Sequence, residues 1–167
     1  VRAVTVSALA PRQSELLWDI GLGSDSIAIE WLLRHPSLRA IGIEADSERA
    51  GRAARNAANL GAPGLQIVEG KAPQALKNLP MPDAVFIGGG LSNPGVFDAA
   101  WLALKSGGRL IANGVSLATE SRLIELFQKH GGDLVRLDVS RAGKAGIGNV
   151  FVWRAAAPIM QWRVSKP

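Results

Sequence analysis

The stretch Asp19-Ile20-Gly21-Leu22-Gly23-Ser24-Asp25 combines residue types that a ligand cleft needs. It follows the apolar run Leu16-Leu17-Trp18, which reads as a buried strand, and precedes Ile27, Ile29, Trp31 and Leu32, the apolar positions of a helix. Glycine tolerates positive φ and lets a ligand approach bare backbone, while Ser24 or Asp25 supplies the helix N-cap. Strand, glycine turn and helix make a nucleotide-type crevice.

Charge discriminates between ligands. A dinucleotide fingerprint G-x-G-x-x-G sets a pyrophosphate on the helix N-terminus, and its third position here is Ser26. Asp19 and Asp25 would both oppose a pyrophosphate in a partly dry cleft. S-adenosylmethionine carries a sulfonium and an ammonium and no phosphate, so this stretch favours it over NAD. The same D-x-G-x-G pattern also occurs as a plain turn in other α/β proteins. Glu44 closes the next predicted strand at about the 20-residue spacing at which an acid meets ribose hydroxyls, a device both ligands share.

The elements that must position these residues follow in order. Residues 1–9 read as a short covering helix, and the helix after the glycine turn runs to His35-Pro36, where proline stops it. His35 and His130 read as helix-end residues complementing the dipole. Residues 39–44 form the second strand. Residues 47–60 form a helix with Ala50, Ala53, Ala54, Ala57 and Ala58 on one face and Arg49, Arg52 and Arg55 largely off it. Residues 65–69 are the third strand, and Gly70-Lys71-Ala72-Pro73 at its carboxyl end would let an adenine ring lie on backbone, with Lys71 there or simply solvated. Residues 82–87 are the fourth strand, and Gly88-Gly89-Gly90 leave open space beside the first, where the transferred group should sit. A helix over 94–104 and a fifth strand over 109–113 come next. Asn113 at its end either binds a polar substrate through its donor and acceptor or makes ordinary turn chemistry. Thr119 is the expected cap of the following helix. Residues 133–140 and 149–154 read as the last two strands, joined by a mobile basic loop over 141–148. Its cations clamp carboxylates or serve solubility, and Trp153 and Trp162 read as packing or subunit contacts.

Alternating strands and helices with a late hairpin predict one α/β domain over 1–167, a doubly wound seven-stranded sheet in the order 3-2-1-4-5-7-6 with the last strand antiparallel. That is the Rossmann-like architecture of class I S-adenosylmethionine-dependent methyltransferases. With 167 residues and 47% hydrophobic content the chain can bury a full core. The absence of cysteine excludes disulfides, thiolate zinc and thiol catalysis, and two isolated histidines argue against a protein-built metal site. No apolar run is long enough to span a membrane and no leader is visible, so the expectation is a soluble, cytoplasmic protein. The net charge of +5 favours an anionic partner, a nucleic acid or a small polycarboxylate. A start at Val1 is expected of a piece of a longer chain.

Across nearly the whole length, the segments Val1-Arg2-Ala3-Val4-Thr5, Leu17-Trp18-Asp19-Ile20-Gly21-Leu22-Gly23-Ser24, Val68-Glu69-Gly70-Lys71-Ala72-Pro73-Gln74-Ala75-Leu76, Pro82-Asp83-Ala84-Val85-Phe86-Ile87-Gly88-Gly89 and Gly108-Arg109-Leu110-Ile111-Ala112-Asn113 resemble a known family. They look like the cobalamin-pathway precorrin methyltransferases of the decarboxylating carbon-15 type, found as precorrin-8w decarboxylase or as the C-terminal domain of bifunctional C5,15 enzymes. The resemblance implies that Gly21, Leu22, Gly23, Ser24, Asp25, Glu44 and Ala72 hold S-adenosyl-L-methionine, and Asp19, Gly70, Lys71 and Gly88 complete the expected cofactor site. It also implies methyl transfer to carbon 15 of a tetrapyrrole with loss of the carbon-12 acetate carboxyl, in a homotetramer that takes no nucleic acid and no membrane as partner. Gly89, Asn113, Arg141 and Lys144 are then the candidates to meet the substrate. The chain departs from the family's common Gly-Gly-Ser-Gly-Gly after the fourth strand, having Gly88-Gly89-Gly90-Leu91-Ser92. A class I methyltransferase acting on RNA or protein is the alternative reading.

Overall fold

The structure, a computed structural model, describes residues 1–23, 27–146 and 150–167. In chain order the elements are α1 (Arg2–Leu9), β1 (Leu16–Ile20), α2 (Ile27–Leu32), β2 (Arg39–Glu44), α3 (Ser47–Asn59), β3 (Gln66–Glu69), β4 (Ala84–Ile87), α4 (Val96–Ala103), β5 (Arg109–Gly114), α5 (Leu117–His130), β6 (Asp133–Leu137), β7 (Ser140–Lys144), β8 (Phe151–Ala155) and β9 (Ile159–Ser165). A 3-10 turn, Gln74–Leu76, lies between β3 and β4.

Seven strands form one sheet in the order β3-β2-β1-β4-β5-β9-β6, and β7 and β8 form a separate two-stranded sheet. The first five strands pair in parallel and β9 runs antiparallel between β5 and β6. β1 and β4 are buried along their whole length, as central parallel strands covered on both faces must be. One core face gathers Trp18, Ile43, Ile87, Leu110, Leu123 and Trp162, and the other Leu17, Trp31, Ala53 and Ile111. On α3 the buried face is Ala50, Ala53 and Ala57, and Asp46 caps it by accepting from the Arg49 N–H at 2.9 Å.

This bears out the doubly wound sheet with an antiparallel last strand, and it corrects the C-terminal third. The run 149–154 does not supply that strand; Ile159–Ser165 does, with Gln161, Trp162 and Val164 buried. Both runs are rich in β-branched and aromatic residues, so local propensity could not choose between them. Burial chose. The predicted strand 133–140 ends at Leu137, and the predicted loop over 141–148 holds β7, paired with β8 through Arg141↔Arg154 and Lys144↔Phe151. Two smaller corrections concern helices: α2 ends at Leu32, ahead of His35-Pro36, and Ser116, not Thr119, caps α5, its side chain accepting from the Thr119 N–H at 3.2 Å.

The N-terminal helix is tied down by one residue. Arg109, on β5, donates from Nε to the Leu9 carbonyl, from Nη2 to the Ala10 carbonyl at 2.9 Å, and from both Nη atoms to Glu15. Its guanidinium also sits 5.6 Å from the Trp31 ring centroid. Two of its contacts therefore satisfy carbonyls at the C-terminal end of α1, which lack helical partners.

Candidate active site

Two clefts open at the carboxyl ends of the parallel strands and share Gly21, Gly23, Gly88, Gly89 and Gly90. The narrower, of about 410 Å3, is lined by Glu44, Ala45, Arg49, Gly70, Lys71 and Ala72 beyond those glycines. The wider, of about 790 Å3, adds Arg2, Thr5, Asp19, Leu22, Asn113 and Arg141. The site lies where β1 and β4 diverge in connection, the switch point at which open α/β sheets bind ligands.

The turn after β1 is held by backbone. Gly21 N–H and Leu22 N–H both donate to the Ile43 carbonyl, at 3.0 and 3.1 Å. Gly21 has φ +77°, and a Cβ built on it would lie 2.8 Å from the Gly89 nitrogen. Only glycine combines that φ with that approach. Gly88, by contrast, is excluded from carrying a side chain by the Phe86 ring, 2.8 Å from its ideal Cβ position. The waist between the clefts is thus bare backbone on both sides.

The acids have distinct settings. Glu44 is buried at the end of β2; its Oε2 accepts from the Gly23 N–H at 2.9 Å and its Oε1 from the Asp46 N–H at 3.0 Å. A carboxylate oxygen has lone pairs to spare after one such bond, so both oxygens can still accept from vicinal hydroxyls. Asp19 is buried at the end of β1 and its Oδ2 accepts from the Ala28 N–H at 2.9 Å, placing a negative charge beside the first turn of α2. That charge opposes a phosphate and suits a cation. The site thus combines a bare-backbone waist with one carboxylate over the narrow cleft and another toward the wider one.

Residues 1–166 match the family described as the precorrin methyltransferase domain. The chain belongs to that family. A precorrin-6Y C(5,15)-methyltransferase [decarboxylating] from Sinorhizobium sp is 55% identical to it over 99% of the chain, and the chain spans 40% of that relative's length. The crystal structure of the C-terminal domain of precorrin-6Y C5,15-methyltransferase from Rhodobacter capsulatus superposes with a TM-score of 0.90 at 43% identity, covering 99% of this chain and 88% of that one. A shorter relative, the cobalt-precorrin-6B C(15)-methyltransferase (decarboxylating) of Salmonella typhimurium, is 29% identical over 90% of this chain and 80% of its own.

In this precorrin methyltransferase domain the structure brings together most of the residues singled out from sequence. Gly21, Gly23 and Gly88 form the waist, Glu44, Gly70, Lys71 and Ala72 line the narrow cleft, and Asp19, Leu22, Gly89, Asn113 and Arg141 line the wide one. Ser24 and Asp25 lie outside the described residues. Lys144 is the exception, exposed at the far end of β7 from Arg141 and outside both linings. Arg2, Thr5 and Gln161 escaped the sequence reading. Arg2 and Thr5 lie in a segment read only as part of a covering helix and of the family resemblance, and Gln161 in a strand not foreseen.

Proposed function

We propose that this chain methylates carbon 15 of a precorrin from S-adenosylmethionine and removes the carboxyl of the carbon-12 acetate, as one unit of a longer C5,15 enzyme of cobalamin biosynthesis. The observation that carries the reading is the pair of clefts joined at a glycine waist, one fitted to an adenosine and the other larger, with cations at its rim. The relatives supply the division of labour. The long relative is named for carbons 5 and 15 and the shorter one, aligned over 80% of its length, for carbon 15 and decarboxylation alone.

The waist glycines with Glu44 would hold S-adenosylmethionine, which would supply an electrophilic methyl group on a positively charged sulfur. What the chain contributes is alignment: the glycines let the ring carbon come in line with the methyl, and holding reactants in register is itself worth several kcal/mol, roughly 7 to 11 at the limit. In the second step the C–C bond to the carboxyl breaks, its electron pair passes into the conjugated macrocycle, and carbon dioxide leaves while the residual carbon takes a proton. Arg2 and Arg141 on the wide cleft are suited to hold substrate carboxylates through charge-assisted hydrogen bonds. Incubation with precorrin and methyl-labelled S-adenosylmethionine should give labelled tetrapyrrole and one carbon dioxide per turnover. Absence of both products would refute the reading.

The proposal extends to a cytoplasmic homotetramer. Every residue of β8 is exposed, Trp153 at 76%, and an isolated two-stranded ribbon is at best marginally stable in water. A second copy of the chain covering Phe151, Val152 and Trp153 would resolve that exposure. Among the described residues no helix is long and apolar enough to cross a membrane. Sedimentation should show an assembly that Trp153→Ser dissociates; a wild-type monomer would exclude the tetramer.

A further inference from the structure

Resting on that reading of the wide cleft, we propose that Thr5 and Gln161 are positioning residues that lock the Asn113 amide, so that its second Nδ2 hydrogen meets a carboxylate oxygen of the substrate. Thr5 and Gln161 are buried and Asn113 is half-buried in the lining of the wide cleft. Their side chains close a ring: Asn113 Nδ2 lies 3.1 Å from Thr5 Oγ1, Gln161 Nε2 lies 3.0 Å from the same oxygen, and Gln161 Nε2 lies 2.8 Å from Asn113 Oδ1.

The proton directions follow from one end. The Val1 carbonyl can only accept, so Thr5 Oγ1, 3.3 Å away, spends its single hydrogen there. Thr5 Oγ1 must then accept from both amides, which requires their nitrogen ends to face it. Gln161 Nε2 uses one hydrogen on Thr5, and its other reaches Asn113, whose facing atom must be the oxygen. No atom of the ring can be exchanged without leaving a buried donor against a donor or an acceptor against an acceptor. Asn113 therefore has a fixed polarity, with one Nδ2 hydrogen left over. A carboxylate has no hydrogen to give, so its contact with this amide runs through that hydrogen. The ring also joins α1 to β5 and β9, so the helix carrying Arg2 and the strand carrying Asn113 are set in register with each other.

The test uses the full chain in two arms. In substrate-free 15N spectra, wild type and Thr5→Ser should show two resolved Asn113 side-chain NH2 lines that shift or merge in Thr5→Val and Gln161→Leu; lines unmoved in both variants would overturn the lock, whatever the substrate. In turnover, Thr5→Val and Gln161→Leu should raise KM for precorrin about tenfold, with Kd for S-adenosylhomocysteine within about twofold of wild type and Thr5→Ser at the wild-type KM. A wild-type KM in Thr5→Val, or an equal loss of S-adenosylhomocysteine affinity, would overturn the proposal. Should either variant fail to fold, Asn113→Asp keeps the acceptor for Gln161 and removes both Nδ2 hydrogens, the outward one and the one given to Thr5; it must raise KM further, and an unchanged KM sinks the idea. A wild-type chain inert toward precorrin would instead refute the function, leaving the spectral arm to decide the amide.

Discussion

The narrow end of the cleft is held together by contacts between neighbouring segments, whereas the wide end is held by side chains from distant parts of the chain. The narrow end is assembled from Gly21, Gly23, Gly70 and Gly88 with Glu44, whose partner Gly23 is 21 positions away in the chain. The wide end depends on Thr5 with Asn113, 108 positions apart, and Thr5 with Gln161, 156 apart. The first is built within adjoining strand-turn units. The second forms only once the first helix, the fifth strand and the last strand have come together, so it inherits the stability of the whole fold.

The largest effect should come from cutting the tether of α1. Arg109→Ala leaves Glu15 nearly buried without its cation and frees the end of α1, which should cost about 3 to 5 kcal/mol in denaturant unfolding. The folded fraction should still bind S-adenosylhomocysteine while losing precorrin; equal loss of both ligands would break the distinction between the two ends. Next, Gly21→Val should weaken S-adenosylhomocysteine about a hundredfold in calorimetry, since the new side chain strikes Gly89 backbone at a positive φ. Gly23→Ala meets nothing nearer than the Gly21 carbonyl at 3.9 Å and should cost far less, through its φ of +60° alone. If Gly23→Ala proves the worse, the waist has been misplaced.

Glu44→Ala should lower S-adenosylhomocysteine affinity about tenfold and leave KM for precorrin nearly unchanged, sharpening the contrast with Thr5→Val. The smallest effect concerns neither end. His130 packs 5.2 Å from the Phe97 and Trp101 ring centroids, and its buried Nε2 has no hydrogen-bond partner among the described residues. Desolvation, with Lys129 adding repulsion, holds its imidazole below the usual range. A depressed imidazole pKa means the unfolded chain binds the proton first, so stability is full above the ordinary imidazole range and declines as pH falls through it. Melting temperature should therefore drop on acidification, and His130→Phe should flatten that part of the profile; an unaltered slope would remove His130 from the account.

The glycine turn, Glu44 and the five parallel strands were legible because each is announced locally: an apolar run, a turn residue, a helical stripe of alanines. The antiparallel strand was not, since Phe151-Val152-Trp153 and Met160-Gln161-Trp162 look alike as strand formers, yet Trp153 is exposed and Trp162 is fully buried. Lys144 was drawn to the cleft by its charge alone, which says nothing of reach.

From residue order alone came the switch-point crevice, the preference for a cationic nucleoside over a phosphorylated one, and the family. Those are properties of short segments and of charges carried within them. Tertiary structure decided which C-terminal run enters the sheet, which cation reaches the mouth, and which way the Asn113 amide faces. Each of these is a competition for burial or for a hydrogen-bond partner more than 40 residues distant, as with Gln161 and Asn113 at 48, and only the closed fold brings the competitors together.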